Sequence, residues 1–213
     1  MNTIAVIPVK GFDTAKERLS GPVDDETRAR LAEAMLEDVL SALDGSRMIF
    51  GRIVVTSDER ASGMARSHGC QVVDDSGSVG HPEAALIGIE AAIEAGAERV
   101  LLLAGDCPLV NPREIDHLLT SVPEEGVAIV RDRHGTGTNA LLLSPPKAID
   151  PAFGEGSAER HRRMAREAGV LASFEDLPSL ALDIDEPADL VALEMKLQAG
   201  ASGASKTARV IGA

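Results

Sequence analysis

Three acidic residues of this sequence occupy positions that suit metal-dependent chemistry. Asp106 follows an apolar run and Gly105, while Asp183 and Asp185 alternate with apolar residues near the C-terminus. A carboxylate at the end of a buried strand, beside a glycine that allows close approach, suits a hard cation. The alternative for Asp106 is a turn residue before proline. We predict that Asp106, Asp183 and Asp185 bind Mg²⁺.

The spacing of Asp183 and Asp185 supports this prediction. Residues two apart on a strand share one face and lie roughly 6.6 Å apart. At an effective dielectric constant of 20, two such charges repel by about 2.5 kcal/mol, so a cation or water must screen them. The alternative for Asp185 is to cap a helix that begins at Pro187. Histidines and cysteines show no spacing typical of zinc sites.

A basic segment follows the first apolar run. Lys10, Lys16 and Arg18 fall within nine residues, beside a glycine and ahead of a predicted helix. Such a loop can hold a triphosphate through its charges and backbone N–H groups, although a solvated basic loop is the alternative. The net charge is −13, so these cations cluster against the overall trend. The residues that we predict to be catalytic are Lys10, Lys16, Arg18 and Asp106. The residues that we predict to bind the nucleotide are Pro8, Val9, Lys10, Lys16, Arg18, Thr56, Glu83 and Gly105.

Two segments rich in glycine and hydroxyl groups, 135–140 and 153–161, predict a second anion site. We expect Ser157 to cap a helix, with Gly154 and Gly156 freeing the approach to its N-terminus. A glycine-lined helix N-terminus binds carboxylate or phosphate groups readily. The residues predicted to bind a small acidic substrate are Thr138, Asn139, Gly154 and Ser157.

Apolar runs alternate with helical patterns along the chain, which is typical of β–α–β units with a largely parallel sheet. The length and the 44% apolar composition fit one domain. We predict an α/β fold with three αβα layers and a mostly parallel, Rossmann-like mixed sheet over residues 1–199, and a flexible C-terminal tail over 200–213. Such sheets bind ligands beyond the carboxyl ends of their strands. The predicted strands are 3–9, 52–56, 71–73, 99–104, 127–130, 140–143 and 181–184, and the predicted helices are 25–43, 61–68, 82–95, 111–121, 157–168 and 187–199.

The composition also restricts the partners. A strongly negative net charge argues against nucleic acid and anionic membranes. No long apolar run or export signal is visible, so we expect a cytoplasmic protein without a membrane partner, and two cysteines without a disulfide. Trp and Tyr are absent, so we expect a base to be recognised by backbone and small polar groups. The oligomeric state stays open, with a homodimer among the alternatives.

Five segments of the chain match one known family in order. They are Ile7-Pro8-Val9-Lys10 with Ala15-Lys16-Glu17-Arg18-Leu19, Gly105-Asp106-Cys107-Pro108-Leu109, Gly135-Thr136-Gly137-Thr138-Asn139-Ala140-Leu141, Phe153-Gly154-Glu155-Gly156-Ser157 with His161, and Leu182-Asp183-Ile184-Asp185 with Pro187 and Asp189-Leu190. In these segments the sequence resembles the 2-phospholactate guanylyltransferase family of coenzyme F420 biosynthesis, a branch of the nucleotidyltransferase superfamily.

The resemblance implies transfer of GMP from GTP to phospholactate, phosphoenolpyruvate or 3-phosphoglycerate, with release of pyrophosphate. It further implies two Mg²⁺ ions on the three aspartates, with Thr138, Gly154 and Ser157 around the phosphorylated acid. One departure concerns the base: the chain has Gly80-His81-Pro82-Glu83-Ala84 where the family usually has Gly-Leu-Asn-x-Ala. The resemblance therefore specifies the base of the nucleotide less closely than it specifies the transfer reaction.

Three other functions compete with this prediction. A related transferase could make molybdenum cofactor dinucleotide or a nucleotide sugar, but those enzymes usually carry a glycine-rich first loop where this chain has Pro8-Val9-Lys10. A phosphatase could use Asp183 as its nucleophile, although such a residue normally follows an early strand. A non-catalytic nucleotide-binding domain of the same fold is the third alternative.

Overall fold

A computed structural model describes residues 1–20, 23–75 and 81–213, with only the backbone of His81. In these ranges the strands are β1 (Thr3–Pro8), β2 (Ile49–Val55), β3 (Gln71–Val73), β4 (Arg99–Leu103), β5 (Gly126–Arg131), β6 (Thr138–Ser144) and β7 (Ala172–Glu175). The α-helices are α1 (Asp25–Asp44), α2 (Glu59–Ser67), α3 (His81–Glu94), α4 (Pro112–Ser121), α5 (Ser157–Glu167), α6 (Pro187–Gln198) and α7 (Ser205–Ile211).

The described strands form one sheet in the order β3-β2-β1-β4-β6-β5-β7. Neighbouring strands are parallel except at β6, which runs antiparallel to both β4 and β5. The predicted mostly parallel mixed sheet is therefore confirmed, and β4 lies at its centre. Reversal of β6 matters for the site, because the first residues of β6 meet the last residues of β4 at one edge.

Helices cover both faces of the sheet, as a three-layer αβα fold requires. Side chains alternate along β1: Ala5 and Ile7 face one core, which α1, α2, α4 and α6 cover, while Ile4 and Val6 face a second core, which α3 and α5 cover. Because both faces are buried, the strands are apolar at successive positions rather than at alternate ones. This explains the continuous apolar runs of the sequence.

Local capping fixes where several helices begin. Asp24 accepts the backbone N–H of Thr27 at the start of α1, and Asn111 accepts that of Arg113 ahead of Pro112 at the start of α4. The predicted start of α4 at Asn111 and Pro112 is thereby confirmed. Short polar side chains at these positions satisfy N–H groups that have no partner within the helix.

Two strand predictions differ from the structure. Residues 181–184 were predicted as a strand, but they form no sheet pairing, and Ile184 instead donates its N–H to the carbonyl of Asp106 at 3.2 Å. Strand β7 was not predicted, since its side chains are all half-buried and show no apolar alternation. An edge strand of this kind gives little local signal.

Residues beyond Gly200, predicted as a flexible tail, include helix α7 packed against α1. Asp38 of α1 accepts the backbone N–H groups of Lys206 and Thr207 at 3.0 and 2.8 Å and the Thr207 hydroxyl at 2.7 Å. Ala204 and Thr207 are buried at this contact. The helix escaped sequence analysis because its capping carboxylate belongs to a distant part of the chain.

The structure also bears on two expectations from composition. Cys70 and Cys107 are both free and buried, as expected for small apolar residues. Across the described ranges, no helix is both long enough and apolar enough to cross a membrane.

The packing of α3 on the sheet predicts a marked effect of one methyl group. A Cβ added at Gly88 would overlap the side chain of Val6 and lie 2.9 Å from Cγ2 of Val55. We expect Gly88→Ala to lower the free energy of unfolding by about 1–3 kcal/mol, because overpacking displaces core side chains. Urea denaturation measures this change.

Gly63 of α2 provides the matched control, because a Cβ there meets no atom within 4 Å. Gly63→Ala should stabilise the protein by up to about 1 kcal/mol through helix propensity alone. Equal effects of the two substitutions would contradict the tight contact between α3 and the sheet.

Candidate active site

A cavity of about 790 Å³ opens at the carboxyl ends of β1 and β4, beside the first residues of β6 and α5. This is where ligands bind in open α/β sheets. Most of the residues predicted from the sequence line it, namely Pro8, Val9, Lys10, Lys16, Arg18, Gly105, Asp106, Thr138, Asn139, Gly154, Ser157, Asp183 and Asp185. The structure therefore brings together side chains that are far apart along the chain.

Lys16 links the acidic residues of the cavity. Its Nζ lies 2.5 Å from Oδ2 of Asp106 and 2.8 Å from Oδ1 of Asp185, and its side chain is only 9% exposed. Burial lowers the pKa of Lys16, but the two carboxylates outweigh burial and raise it above its usual range. The buried side chain is therefore an ammonium ion.

The loop that carries Lys16 is held by contacts on either side. Phe12 and Leu19 are buried, and the Phe12 N–H donates to Oδ2 of Asp58 at 3.0 Å. Lys16 itself has φ of 58°, the left-handed region that non-glycine residues rarely adopt. This conformation costs on the order of 1 kcal/mol, which the surrounding contacts must offset.

Backbone contacts bring the two acidic segments together. Besides the Ile184-to-Asp106 hydrogen bond, the side chains of Leu182 and Ile184 are buried in the core, whereas Asp183 and Asp185 line the cavity. Alternation along an extended chain places the aspartates on the cavity side. The predicted sharing of one face is thus achieved without a strand.

Of the three aspartates in the cavity, Asp183 is the one that Lys16 does not contact. Burial and the neighbouring Asp106 carboxylate together raise the pKa of Asp183 to about 6, against the effect of an N–H from Asn139 at 3.2 Å. The same Asn139 amide also donates to the carbonyl of Leu180 at 2.8 Å. Three carboxylates therefore face one ammonium ion, which leaves an excess of negative charge in the cavity.

This excess suits a cation that is bound partly by its substrate. Within 1–20, 23–75 and 81–213, no group of three acidic, histidine or cysteine side chains is arranged so that it could hold a metal ion by itself. Mg²⁺, however, typically takes one or two carboxylates together with waters and substrate phosphates. The all-carboxylate donor set of Asp106, Asp183 and Asp185 fits that chemistry.

Two residues that were not predicted as site residues hold Asp185 in place. Oδ2 of Asp189 accepts the backbone N–H groups of Asp185 and Glu186 at 2.9 and 2.7 Å, and Arg133 lies 2.6 Å from Oδ1 of Asp189. The N-cap of α6 is Glu186, so the alternative of helix capping by Asp185 was wrong. Asp185 is left to face Lys16.

Hydroxyl groups line the opposite side of the cavity. Oγ of Ser157 donates to Oγ1 of Thr138 at 3.1 Å, and Nδ1 of His161 lies 3.1 Å from the same Thr138 oxygen. The N-cap of α5 is Gly156 with φ of 69°, and Ser157 is the first helical residue. The expected cap at Ser157 was therefore wrong, because its hydroxyl contacts Thr138 instead.

The remaining predicted nucleotide-binding residues divide into two groups. Lys10 and Arg18 are exposed at the cavity, and Arg18 lies 3.7 Å from Glu186. Thr56 and Glu83 do not line the described cavity: Thr56 is buried and accepts the N–H of Asp58, and Glu83 is exposed on α3. Gly80 and the side chain of His81 lie outside the described residues.

Other residues line the cavity but were not predicted as site residues. They are Phe12, Thr14, Ala15, Glu17, Ala32, Met35, Leu36, Ala104, Asp132, Thr136, Gly137, Phe153 and Glu155.

Comparison with known protein families decides how this cavity is classified. The family model described as "Guanylyl transferase CofC like" matches residues 3–206. The chain belongs to the CofC-like guanylyl transferase family. This confirms the resemblance carried by the five sequence segments.

Two relatives show how far the sequence similarity extends. A phosphoenolpyruvate guanylyltransferase of Conexibacter woesei is 41% identical over 209 residues, covering 97% of this chain and 94% of the relative. A second, from Sphaerobacter thermophilus, is 40% identical over 202 residues, with coverage of 95% and 97%. Identity at this level over nearly the whole chain makes this CofC-like protein a nucleotidyltransferase enzyme.

Solved structures share the fold of this CofC-like chain. A structure from Desulfovibrio desulfuricans G20, described as a nucleotide-diphospho-sugar transferase, aligns with a TM-score of 0.78 at 16% identity, covering 98% of this chain and 94% of that one. A nucleotidyl transferase from Methanothermobacter thermautotroptrophicus aligns with a TM-score of 0.67 at 20% identity, with coverage of 93% and 99%. These likenesses establish the nucleotidyltransferase fold.

Burial of His161 predicts a pH dependence of stability. Burial lowers the pKa of His161 from 6.5 to about 4, so between these values the unfolded chain binds a proton that the folded protein does not. The stabilisation that the neutral, buried ring contributes is fully present above pH 6.5 and falls by about 3 kcal/mol as the pH falls to 4. Urea denaturation across this range should show a shallower loss of stability for His161→Gln than for the original chain.

Other groups titrate in the same range, so the difference between the two proteins is the quantity to compare. A pH dependence that is identical in both would contradict a neutral, buried His161.

Proposed function

We propose that this enzyme transfers GMP from GTP to the phosphate of phosphoenolpyruvate and releases pyrophosphate. The observation that carries the proposal is the Lys16 ammonium between Asp106 and Asp185, facing Thr138 and Ser157 across one cavity. The Conexibacter woesei and Sphaerobacter thermophilus relatives are named phosphoenolpyruvate guanylyltransferases, which supports this acid. A place in coenzyme F420 biosynthesis stays a prediction from the family resemblance.

The reaction exchanges one phosphorus–oxygen bond for another. An oxygen of the acid's phosphate attacks the α-phosphorus of GTP, and the bond from that phosphorus to the β-phosphate oxygen breaks, so pyrophosphate leaves with the electron pair. A phosphate monoester is already ionised near pH 7. The enzyme therefore needs no general base, and its task is to position the reactants and neutralise their charge.

The cations of the first loop suit the triphosphate. Lys10 and Arg18 are exposed at the cavity, where Arg18 lies 3.7 Å from Glu186, whereas the Lys16 side chain is buried. A buried ammonium stabilises developing phosphate charge more strongly than an exposed one, because water screens it less. We assign Lys16 to the reacting phosphates and Lys10 and Arg18 to the outer phosphates.

The aspartates supply the sites for divalent cations. Asp106, Asp183 and Asp185 would hold Mg²⁺, most simply as two ions. When bound, Mg²⁺ neutralises phosphate charge and orients the reacting oxygens. The Lys16 ammonium contacts two of the three carboxylates and offsets one unit of their negative charge.

The hydroxyl side of the cavity suits the small acid. Thr138 supplies a hydroxyl that Ser157 and Asn139 flank, and Gly154 with φ of 107° allows the acid to approach the start of α5. N–H and O–H donors at a helix start favour carboxylate and phosphate oxygens. Phosphoenolpyruvate carries both groups.

A pyrophosphate-release assay tests the proposal directly. GTP, CTP, UTP and ATP are each combined with phosphoenolpyruvate, 2-phospholactate and 3-phosphoglycerate in the presence of Mg²⁺. We expect the highest kcat/KM for GTP with phosphoenolpyruvate. Absence of pyrophosphate release with every pair would overturn the assignment, and a preference for another acid would correct the substrate.

Removing one carboxylate tests the role of the acidic cluster. Asp106→Asn should lower kcat/KM by at least about 100-fold, because it removes charge at the reacting phosphates while preserving side-chain size. Asp176→Asn is the control, since the Asp176 side chain is 87% exposed and does not line the cavity. Near-normal turnover of Asp106→Asn would show that this cluster does not drive the reaction.

The difference between the buried and the exposed cation gives a further prediction. Lys16→Met should reduce kcat/KM by about 100-fold or more, and Arg18→Met by about tenfold, because solvent weakens the contribution of Arg18. Steady-state kinetics with GTP as the varied substrate measures both. If Arg18→Met proved the more damaging change, our assignment of Lys16 to the reacting phosphates would be wrong.

A further inference from the structure

His161 is a buried residue that no step of the proposed reaction uses. Its side chain is 0% exposed on α5, and its ring contacts the Phe153 ring edge-on, with centroids 5.4 Å apart and planes at 78°. Both ring nitrogens have polar neighbours: the N–H of Ala152 lies 2.8 Å from Nε2, and Oγ1 of Thr138 lies 3.1 Å from Nδ1. The ring is therefore held at both nitrogens and along one edge.

The Ala152 contact determines which nitrogen carries the proton. A backbone N–H can only donate, so Nε2 must accept and carries no hydrogen. Burial keeps the ring neutral because it lowers the pKa of His161 to about 4. A neutral ring without a proton on Nε2 carries it on Nδ1, and Nδ1–H then donates to Thr138.

The Thr138 hydroxyl is consequently restricted to one role. Its oxygen accepts from Nδ1–H of His161 and from the Ser157 hydroxyl, so both of its lone pairs are used. No protein acceptor takes the Thr138 hydroxyl proton among the hydrogen bonds of the described chain. Thr138 lines the cavity, and its proton is available only to a ligand there.

We infer that His161 is a positioning residue that fixes Thr138 as a hydrogen-bond donor towards an anionic oxygen of the acid substrate. The inference rests on the proposed function, which places the acid on this side of the cavity. A fixed donor favours a carboxylate or phosphate oxygen, since charge-assisted hydrogen bonds are the stronger ones. It also spares the ligand the reorientation of a freely rotating hydroxyl.

Two isosteric amides separate the two hydrogen bonds of His161. The side-chain nitrogen of asparagine lies near the position of Nδ1, so His161→Asn can still donate to Thr138 but no longer accepts from Ala152. The glutamine carbonyl oxygen lies near Nε2, so His161→Gln can accept from Ala152 but no longer donates to Thr138. Each variant therefore retains one contact and loses the other.

We expect one His161 variant to change mainly the KM for the acid and the other to change mainly the stability. We expect His161→Gln to raise the KM for phosphoenolpyruvate roughly tenfold, with the KM for GTP unchanged. His161→Asn should change the KM for phosphoenolpyruvate less than threefold, roughly, yet lower the urea midpoint more than His161→Gln does. A residue that served the fold alone would not give this crossed pattern.

Met164 on the same helix supplies the control for lost stability. Its side chain packs partly buried against the second core and does not line the cavity. Met164→Ala should lower the urea midpoint while leaving the KM for phosphoenolpyruvate unchanged. ¹⁵N-labelled imidazole signals of the original protein should show a proton on Nδ1 and none on Nε2.

The outcomes distinguish this inference from the proposed function. If the original chain releases no pyrophosphate with GTP and phosphoenolpyruvate, the proposed function fails. The imidazole signals still test which ring nitrogen of His161 carries the proton. If turnover occurs but both His161 variants raise the KM for the acid equally, or a proton is found on Nε2, the inference is overturned.

Discussion

The site depends on a buried ammonium ion held between two carboxylates. Lys16 contacts Asp106 and Asp185 at hydrogen-bonding distance while almost entirely removed from solvent. Transfer of these charges from water is costly, and mutual attraction repays the cost only in good geometry. Asp183, which has no such partner, has a raised pKa because it is buried and lies near the Asp106 carboxylate. A cavity of this kind is prepared for ligands that carry both phosphate charge and cations.

The fold supplies that geometry from three distant segments. Lys16 lies in the loop after β1, Asp106 follows the end of β4, and Asp185 lies in the extended chain before α6. A hydrogen bond from the Ile184 N–H to the Asp106 carbonyl holds the last two segments together. The reversed strand β6 then places Thr138 and Asn139 beside the end of β4. A fully parallel sheet would put the start of that strand at the opposite edge, so the single reversal joins the acidic and hydroxyl sides of the cavity.

The sequence predicted those parts of the site whose signal is local. Asp106 follows an apolar run, and Asp183 alternates with buried neighbours, so each could be identified without knowledge of the fold. Arg133 acts through Asp189, a partner far along the chain, and nothing in its immediate surroundings distinguishes it from an ordinary polar residue. Asp189 and His161 stand in the segments that match the family, but their contacts with Asp185 and Thr138 are visible only in the structure. The contact between α7 and Asp38 was missed for the same reason. Three-dimensional partners, rather than residue types, define these positions.

Binding of Mn²⁺ in the presence of GTP tests most directly whether Asp106, Asp183 and Asp185 form a cation site. Electron paramagnetic resonance measures this binding. We expect Asp183→Asn and Asp185→Asn each to weaken Mn²⁺ binding by at least about tenfold, with Asp176→Asn unchanged. Equal Mn²⁺ affinity in the original chain and in both site variants would contradict the account.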